Sequence, residues 1–300
     1  MSADQSPPFC RPPHARLHSD IKVTALEIKC GLNAYSVNVM SRLRDGVLDL
    51  SPNATFSIWS LPSLPSTDCD LTSSLFDGVR TFAAARGAET IRWRLPPDSW
   101  DPDLIAKLCQ LNRSRGGSEI VDVNYEVQAH LWSPIHMSKG NRKRLKQAAS
   151  LGARMLSVTD RKRMAECFAL LARNRAARNL QLSMSFEQFE ATKRVFPNDY
   201  ELFALYFGDT LTASALVIKL SSTRHYVFMW GHEPDWSHRS PVVSLCSSLI
   251  EHALQCGAGT LDLGISSVDG VIDEGLAKFK SNLGAVAQPK RTLFIPVSGG

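Results

Sequence analysis

Apolar and polar positions alternate along this chain with two periods, and the changes between them mark out its elements. Ile21 to Ile28 and Tyr35 to Leu43 alternate at period two and are predicted strands, as is Thr55 to Ser60. Pro62, Pro65, Ser66 and Thr67 predict a loop. Leu71, Leu75, Val79, Phe82 and Ala83 then share one face of a helix expected from Leu71 to Arg86, closed by Gly87. Ile91 to Leu95 returns to alternation and stops at Pro96 and Pro97. A helix beginning at Asp101 or Asp103 runs to about Arg113, Gly116 and Gly117 break it, and Glu119 to Leu131 is a long strand. Alternating strands and helices make this half a mixed α/β unit. Ahead of it, Pro7, Pro8, Pro12 and Pro13 without periodicity predict a disordered or loosely docked tail over residues 1–20.

Ser133 and Pro134 open a linker. A basic helix follows from Ser138 and ends at Gly152, then a strand from Arg154 to Val158, then a second basic helix over 161–178 capped by Asp160. Ser185 to Gln188 reads as a capping box ahead of Phe186, Phe189 and Phe196. Tyr200 to Phe207 and Leu211 to Leu220 form a hairpin about Gly208 and Asp209, and Arg224 to Trp230 is a third strand. After a polar loop from Asp235, Ser240 and Pro241 are an N-cap and N1 pair for a helix over 241–256. Thr260 to Leu263 is a short buried strand. A Gly/Ser/Asp loop leads to a helix from about Glu274 to Leu283, with Asp273 as N-cap and Gly284 as the closing glycine.

Composition narrows the class. With 300 residues, 44% hydrophobic and 21% charged, the chain suits two soluble globular domains. No apolar run approaches the roughly 18–20 residues of a membrane span, and the Pro-rich start lacks the apolar core of a secretory signal. The 7 cysteines are odd in number, scattered and without CxxC spacing, which predicts reduced thiols and a cytoplasmic setting. Charge is uneven: residues 1–138 hold 13 Lys/Arg against 15 Asp/Glu, and residues 139–300 hold 21 against 14. A basic second half suits an anionic ligand such as a CoA diphosphate, a nucleotide-sugar or tRNA, and equally a solvated basic surface. Lys139, Arg142, Lys143, Arg144 and Lys146 concentrate that charge as a candidate polyanion surface, although no aromatics interleave with them.

Several familiar chemistries find no support. His232, Asp235 and His238 have three-residue spacing but fall in a loop with no fourth ligand, so no metal is expected. There is no Gly-x-Ser-x-Gly elbow for a serine hydrolase. Cys256 and His252, one helical turn apart, read as a buried core thiol beside a surface or packed histidine. Arg92 and Arg94, flanking Trp93, suit either an acidic ligand or the exposed face of an amphipathic strand. The first turn of the 241–256 helix would direct N–H groups at the preceding loop, a place for an anion.

The end of the chain carries a resemblance. Asp262-Leu-Gly-Ile-Ser, Gly275-Leu, Phe279-Lys280 and Gly284-Ala285 resemble the end of Fem-type acyltransferases of the GNAT superfamily, and the likeness extends over roughly residues 139–297. It implies tandem GNAT-like α/β domains, each a mixed, mostly antiparallel sheet flanked by helices, set here at 21–132 and 139–300, the second one catalytic. It implies that the third strand of the central meander splays from the next strand. It implies amide formation on an amine of a polar small molecule or glycoconjugate, by direct transfer from acyl-CoA or aminoacyl-tRNA as co-substrate, with no bound cofactor. An aminoacyl-tRNA-dependent peptidyltransferase, or a non-catalytic module binding RNA or a partner on the same scaffold, stays open beside it. By the same resemblance Phe279 and Lys280 lie at the acyl-transfer channel. Asp262, Asp269 and Asp273 are candidates for a general base, with Asp262 preferred. Ser266, Ser267, Trp230 and His232 are expected substrate contacts, and Arg239, Ser240, Val242 and Val243 the donor-binding positions. The superfamily's pyrophosphate signature, Arg/Gln-x-x-Gly-x-Gly/Ala, is missing: His238 to Val243 stand in its place, which weakens acetyl-CoA as the donor.

Overall fold

The computed structural model describes residues 7–30, 33–50 and 71–297, together with Pro52, Ala54 and Phe56. The expected strand Thr55 to Ser60, Phe56 apart, and the loop at Pro62 to Thr67 lie outside the described residues.

In chain order the elements are α1 (Pro12–Ala15), β1 (Lys22–Cys30), β2 (Asn33–Arg44), β3 (Val47–Leu50), α2 (Leu71–Ala84), β4 (Thr90–Pro97), α3 (Pro102–Ser114) and β5 (Ser118–Gln128). There follow α4 (Lys139–Ser150), β6 (Ala153–Ser157), α5 (Arg161–Ala176), α6 (Phe186–Val195), β7 (Tyr200–Phe207), β8 (Thr210–Ser221) and β9 (Arg224–His232). The chain ends with α7 (Pro241–Gln255), β10 (Thr260–Ile265), β11 (Ser267–Val268), β12 (Val271–Ile272), α8 (Glu274–Ser281) and β13 (Val286–Pro296).

These elements form two compact units. The first holds residues 1–123, 267–272 and 288–300, and the second 124–266 and 273–287. Strands of the first run in the order β1-β2-β3-β4-β13, and strands of the second in the order β5-β10-β9-β8-β7-β6. Each sheet is antiparallel except for one parallel pair, β3 with β4 and β9 with β10. The units repeat one plan: an antiparallel meander, a helix, then a strand laid parallel to the meander's last member. The division departs from the contiguous ranges 21–132 and 139–300. Within β13, residues from Lys290 onward pair with β4, and within β5, Asn124 to Gln128 pair with β10. Strand pairing between residues this far apart leaves no local trace in a sequence.

The expected elements form, with differences at their ends. In the first unit Leu48, Leu50, Ile91, Trp93 and Leu95 meet Leu75, Phe76 and Val79 of α2 and Ile105 and Leu108 of α3. Asp101 caps α3 through Leu104 N at 3.1 Å. In the second unit Asp160 caps α5, and Ser185 with Gln188 forms the capping box of α6. The expected tail is ordered from Pro7 onward. A 3₁₀ turn at Pro8–Cys10 and the one-turn α1 bury Phe9, Cys10, His14 and Ala15, and Phe9 packs edge-on to Phe56 at 5.2 Å. The prolines there start helical turns, where the missing N–H costs nothing. Two hairpins were not expected, β2–β3 about Asp45-Gly46 and β11–β12 about Asp269-Gly270. All four turn residues have positive φ, the geometry that Asp-Gly favours between strands. Ser240 precedes α7 but makes no side-chain cap: at φ 50° it is left-handed, and Pro241 alone marks the helix start. Cys10, Cys109, Cys167, Cys246 and Cys256 are free thiols. Among the described residues no helix is long and apolar enough to cross a membrane.

Candidate functional site

The site begins where two strands part. β10 pairs with β9 only at Thr260–Arg224, Leu261–His225 and Asp262–Tyr226, and β9 runs on to His232 without it. This is the splay the resemblance implied. β10 turns away because Gly264 takes φ 78°, which shifts the register against β5 between Asp262 and Ile265. A bent strand leaves backbone groups without a ladder partner, and buried ones must find another. Asp262 supplies one: its Oδ1 accepts from Gly264 N at 2.7 Å and from Asn124 Nδ2 at 2.9 Å. Lys280 supplies another: its Nζ, on a residue 2% exposed, donates to the carbonyls of Gly264 at 2.8 Å and Ile265 at 2.7 Å. Both are charge-assisted bonds, stronger than neutral ones. β9 is irregular too, with a register shift at Phe228 against β8, after which Trp230 and His232 share a face.

A cavity of about 690 Å³ opens at this end of the second unit. The end of α5 contributes Asn174 and Arg175, the turn after it Arg178, and β9 contributes Trp230, Gly231 and His232. Ser237, Ser240 and Val242 border it from the turn before α7 and the helix start, and Asp273, Gly275, Leu276 and Phe279 from α8. Trp230 and Phe279 meet edge to face at 5.9 Å and 81°, one aromatic wall. Gly231 lets α5 approach: a Cβ there would meet Asn174 at 2.9 Å, and Asn174 Nδ2 donates to His232 O at 2.8 Å. A smaller cavity of 250 Å³ shares Ser240, Gly275 and Phe279 with the first and adds Asn141, Arg144, Val243, Lys278 and Asn282.

The lining is basic with a neutral imidazole. Burial, then the nearby Arg178, lowers the Arg175 pKa. Burial, then Arg178, also holds His232 below the usual histidine range, against the opposing charge of Glu233. Glu233 is itself paired with Arg173. Asp273 lies at the cavity edge with Oδ1 capping α8 through Leu276 N at 2.9 Å. The aromatic wall, the guanidinium groups and an imidazole biased to its neutral form can hold an anionic group beside a polar one.

Not all sequence candidates gather here. Phe279, Trp230, His232, Ser240 and Val242 line the larger cavity, and Val243 and Arg144 the smaller. Asp262 and Lys280 stand behind the bend of β10. Ser266 is buried with its hydroxyl unpartnered. Ser267 belongs to the first unit, where its hydroxyl donates to Asp122 at 2.6 Å and accepts from Val123 N at 2.8 Å, so its bonding is spent on structure. Asp269 forms part of the β11–β12 turn. Arg239 is exposed, with Nε directed at His238 Nε2 at 3.1 Å. In the basic run Arg142 donates to the carbonyls of Ile135 and Met137, while Lys139, Lys143 and Lys146 are exposed. His232, Asp235 and His238 do not converge: His232 Nε2 meets Ser237, and His238 Nδ1 meets Asp235 O. In the first unit, Arg92 and Arg94 are partners of the buried Asp49. Asn174, Arg175, Arg178, Ser237 and Lys278 were not singled out from sequence. The basic end of the helix before residue 178 was visible as charge, but its direction toward a cavity was not.

Comparison with known proteins follows this geometry. Residues 137–281 match the model of the family described as Acetyltransferase (GNAT) domain. No curated protein sequence matches the chain. Among solved structures the chain is similar to FemX, with 13% identity and a TM-score of 0.67 over 95% of this chain and 91% of that one. It is similar to the C-terminal domain of a putative lysylphosphatidylglycerol synthetase from Agrobacterium fabrum, with 12% identity and a TM-score of 0.62 over 98% and 89%. A tandem GNAT protein from the clavulanic acid biosynthesis pathway aligns with 9% identity and a TM-score of 0.52 over 91% and 82%. At such identities the likeness is one of fold. The repeated meander and the splayed parallel pair agree with the match of residues 137–281 to an acetyltransferase domain of the GNAT type. The fold of the chain as a whole is similar to that of FemX.

Proposed function

We propose that the second unit forms an amide bond on an amine of a polar small molecule or glycoconjugate, by direct transfer of an acyl or aminoacyl group inside the 690 Å³ cavity. The observation that carries this is the opening between β9 and β10, with an aromatic wall of Trp230 and Phe279 and the cations Arg175 and Arg178 around it. Phe279 borders the reacting groups. Asp262 and Lys280 act from behind, by holding the end of β10 in its bent form. In direct transfer the amine attacks the donor carbonyl and the ester or thioester bond breaks, so the protein's part is orientation and charge stabilisation.

The start of α7 bears on the donor. A CoA diphosphate in this fold would call on free N–H groups at the first turn. Pro241 has none, and the Val243 N–H is already donated to Ser240 O at 3.0 Å. Val242 and Val243 direct apolar side chains to the two cavities instead. This favours aminoacyl-tRNA, whose phosphates Arg144, Lys278 and the exposed Lys139, Lys143 and Lys146 could meet. Calorimetric titration of the protein with acetyl-CoA, and with charged and uncharged tRNA at two salt concentrations, tests the reading. Saturable, salt-sensitive binding of charged tRNA with no CoA heat is expected. Saturable CoA binding would select acyl-CoA as donor, and binding of neither would overturn the transfer reading.

A further inference from the structure

We propose that His232 is the general base of this site, taking a proton on Nδ1 from the acceptor amine as its nitrogen attacks the donor carbonyl. The proposal rests on the acyl-transfer reading above.

Position comes first. His232 ends β9 and lines the cavity beyond Trp230 on the same face of the strand, close to the aromatic wall that Phe279 completes. Its main chain is held as well, since its carbonyl accepts from the buried Asn174. A base on a strand end braced in this way keeps one orientation.

The hydrogen bonds of the ring decide which nitrogen is available. His232 Nε2 lies 3.0 Å from Ser237 Oγ. The Ser237 hydroxyl already donates its proton to Pro234 O at 2.6 Å, so toward the histidine its oxygen can only accept. Nε2 therefore carries the hydrogen, and Nδ1 presents the lone pair. Ser237 is thus a positioning residue: it fixes the tautomer of the ring.

The charges around the ring keep that lone pair free at neutral pH. Arg175 approaches from α5 and Arg178 from the turn that follows it. Glu233, the next residue on the chain, has its carboxylate engaged by Arg173, and Asp273, across the cavity on the cap of α8, has one oxygen bonded to Leu276 N. Burial and Arg178 together favour the neutral imidazole over the imidazolium. An uncharged histidine is the state a base must start from.

The proton balance closes within the site. The neutral amine attacks, the C–N bond forms, and the nitrogen's proton passes to Nδ1. The imidazolium then returns that proton to the departing oxygen or sulfur as its bond to the acyl carbon breaks. Imidazole is regenerated, and no oxidant or further reactant is needed.

The test pairs a state readout with a reaction readout on the full chain. In ¹⁵N-labelled protein, His232 ring shifts assigned by comparison with His232→Gln should report the Nε2–H tautomer, still neutral where free histidine is half protonated. Ser237→Ala should redistribute the tautomers. In parallel, wild type, His232→Gln and Asp273→Asn would be given acetyl-CoA or bulk aminoacyl-tRNA as donor. The acceptors would be glucosamine, ethanolamine or hydroxylamine, the last the least basic, so that its nitrogen sheds a proton most readily during attack and needs the least help. His232→Gln should lose about 10²- to 10⁴-fold in transfer to the ordinary amines and far less to hydroxylamine. Equal losses to all acceptors, no loss at all, an Nδ1–H tautomer, or a base-type loss confined to Asp273→Asn would each overturn the assignment. Hydroxamate as the wild type's only product would also overturn it. A wild type inactive with both donors, while His232 still titrates as described, would sink the transfer reading itself and the base role with it.

Discussion

The two units share a plan and differ in how far one parallel pair stays zipped. In the first, all four residues of β3 pair with β4, from Val47–Thr90 to Leu50–Trp93. Trp93 is sealed in the core at 1% exposure, and Arg42, Arg92 and Arg94 converge on the buried carboxylate of Asp49. In the second, only three residues of β9 pair with β10, Trp230 is half-buried on a cavity wall, and Arg175 and Arg178 border open space. A fully zipped pair satisfies its own backbone and leaves its charged side chains to one another. An unzipped pair makes room, and then needs Asp262 and Lys280 to complete the bonding of the bent strand. Polar residues of similar kind therefore hold structure in one unit and border a site in the other.

The comparison can be pressed hardest at its two buried charges. Asp49→Ala would leave a cluster of arginines without its carboxylate and should destabilise the protein by about 3–5 kcal/mol, read as a lower midpoint in urea. Lys280→Met removes the donor from two carbonyls and should cost about 2–4 kcal/mol. Under conditions where the variant is folded, tRNA binding should match wild type. Unchanged stability with lost transfer would instead make Lys280 a reacting group.

Acid should act on both units through buried histidines. His14 in the first and His225 in the second are held to a pKa of about 4, chiefly by burial, from an ordinary 6.5. Lys219 and His252 add to the effect at His225, opposed by Glu201, and His18 adds to it at His14. A lowered folded-state pKa means that the unfolded chain takes up the proton first. Each histidine therefore contributes stability that is complete above pH 6.5 and lost as pH falls toward 4, roughly 3 kcal/mol apiece. Replacing either with Gln should flatten the stability profile in that window, as followed by urea midpoints against pH.

Surface changes should have the smallest effects on stability and separate the cavity from the basic helix. Arg144→Gln with Lys278→Gln, and Lys139→Gln with Lys143→Gln and Lys146→Gln, should each alter stability by less than about 0.5 kcal/mol. Both sets should weaken the tRNA binding proposed above and reduce its salt dependence. If only the exposed lysines mattered, the smaller cavity would have no part in donor binding.

Much of the fold was legible because its signals are local. Period-two runs mark β1, β2, β4, β5 and β7 to β9. The caps at Asp101, Asp160, Ser185 and Asp273 each bond a backbone N–H of their own helix. The Asp-Gly dipeptides at 45–46 and 269–270 carried a readable signal for the two unexpected hairpins. Of the site, the aromatic wall was half visible in Phe279, which the closing motif marks. Arg175, Arg178 and Ser237 were not, because nothing in a helix end or a polar turn tells which way it faces.

By itself, then, the sequence determined the elements, their caps, the basic second half and the closing motif, all properties of neighbours within a few residues. Tertiary structure alone decided that β13 completes the first sheet and β5 borders β10 in the second. It also decided that Lys280 is turned onto two carbonyls, that Ser267 is spent on Asp122, and that His232 lines a cavity with Nε2 against Ser237. The reason is physical: burial and hydrogen-bond satisfaction are set by groups up to 217 residues apart in the chain, and only the folded packing chooses among them.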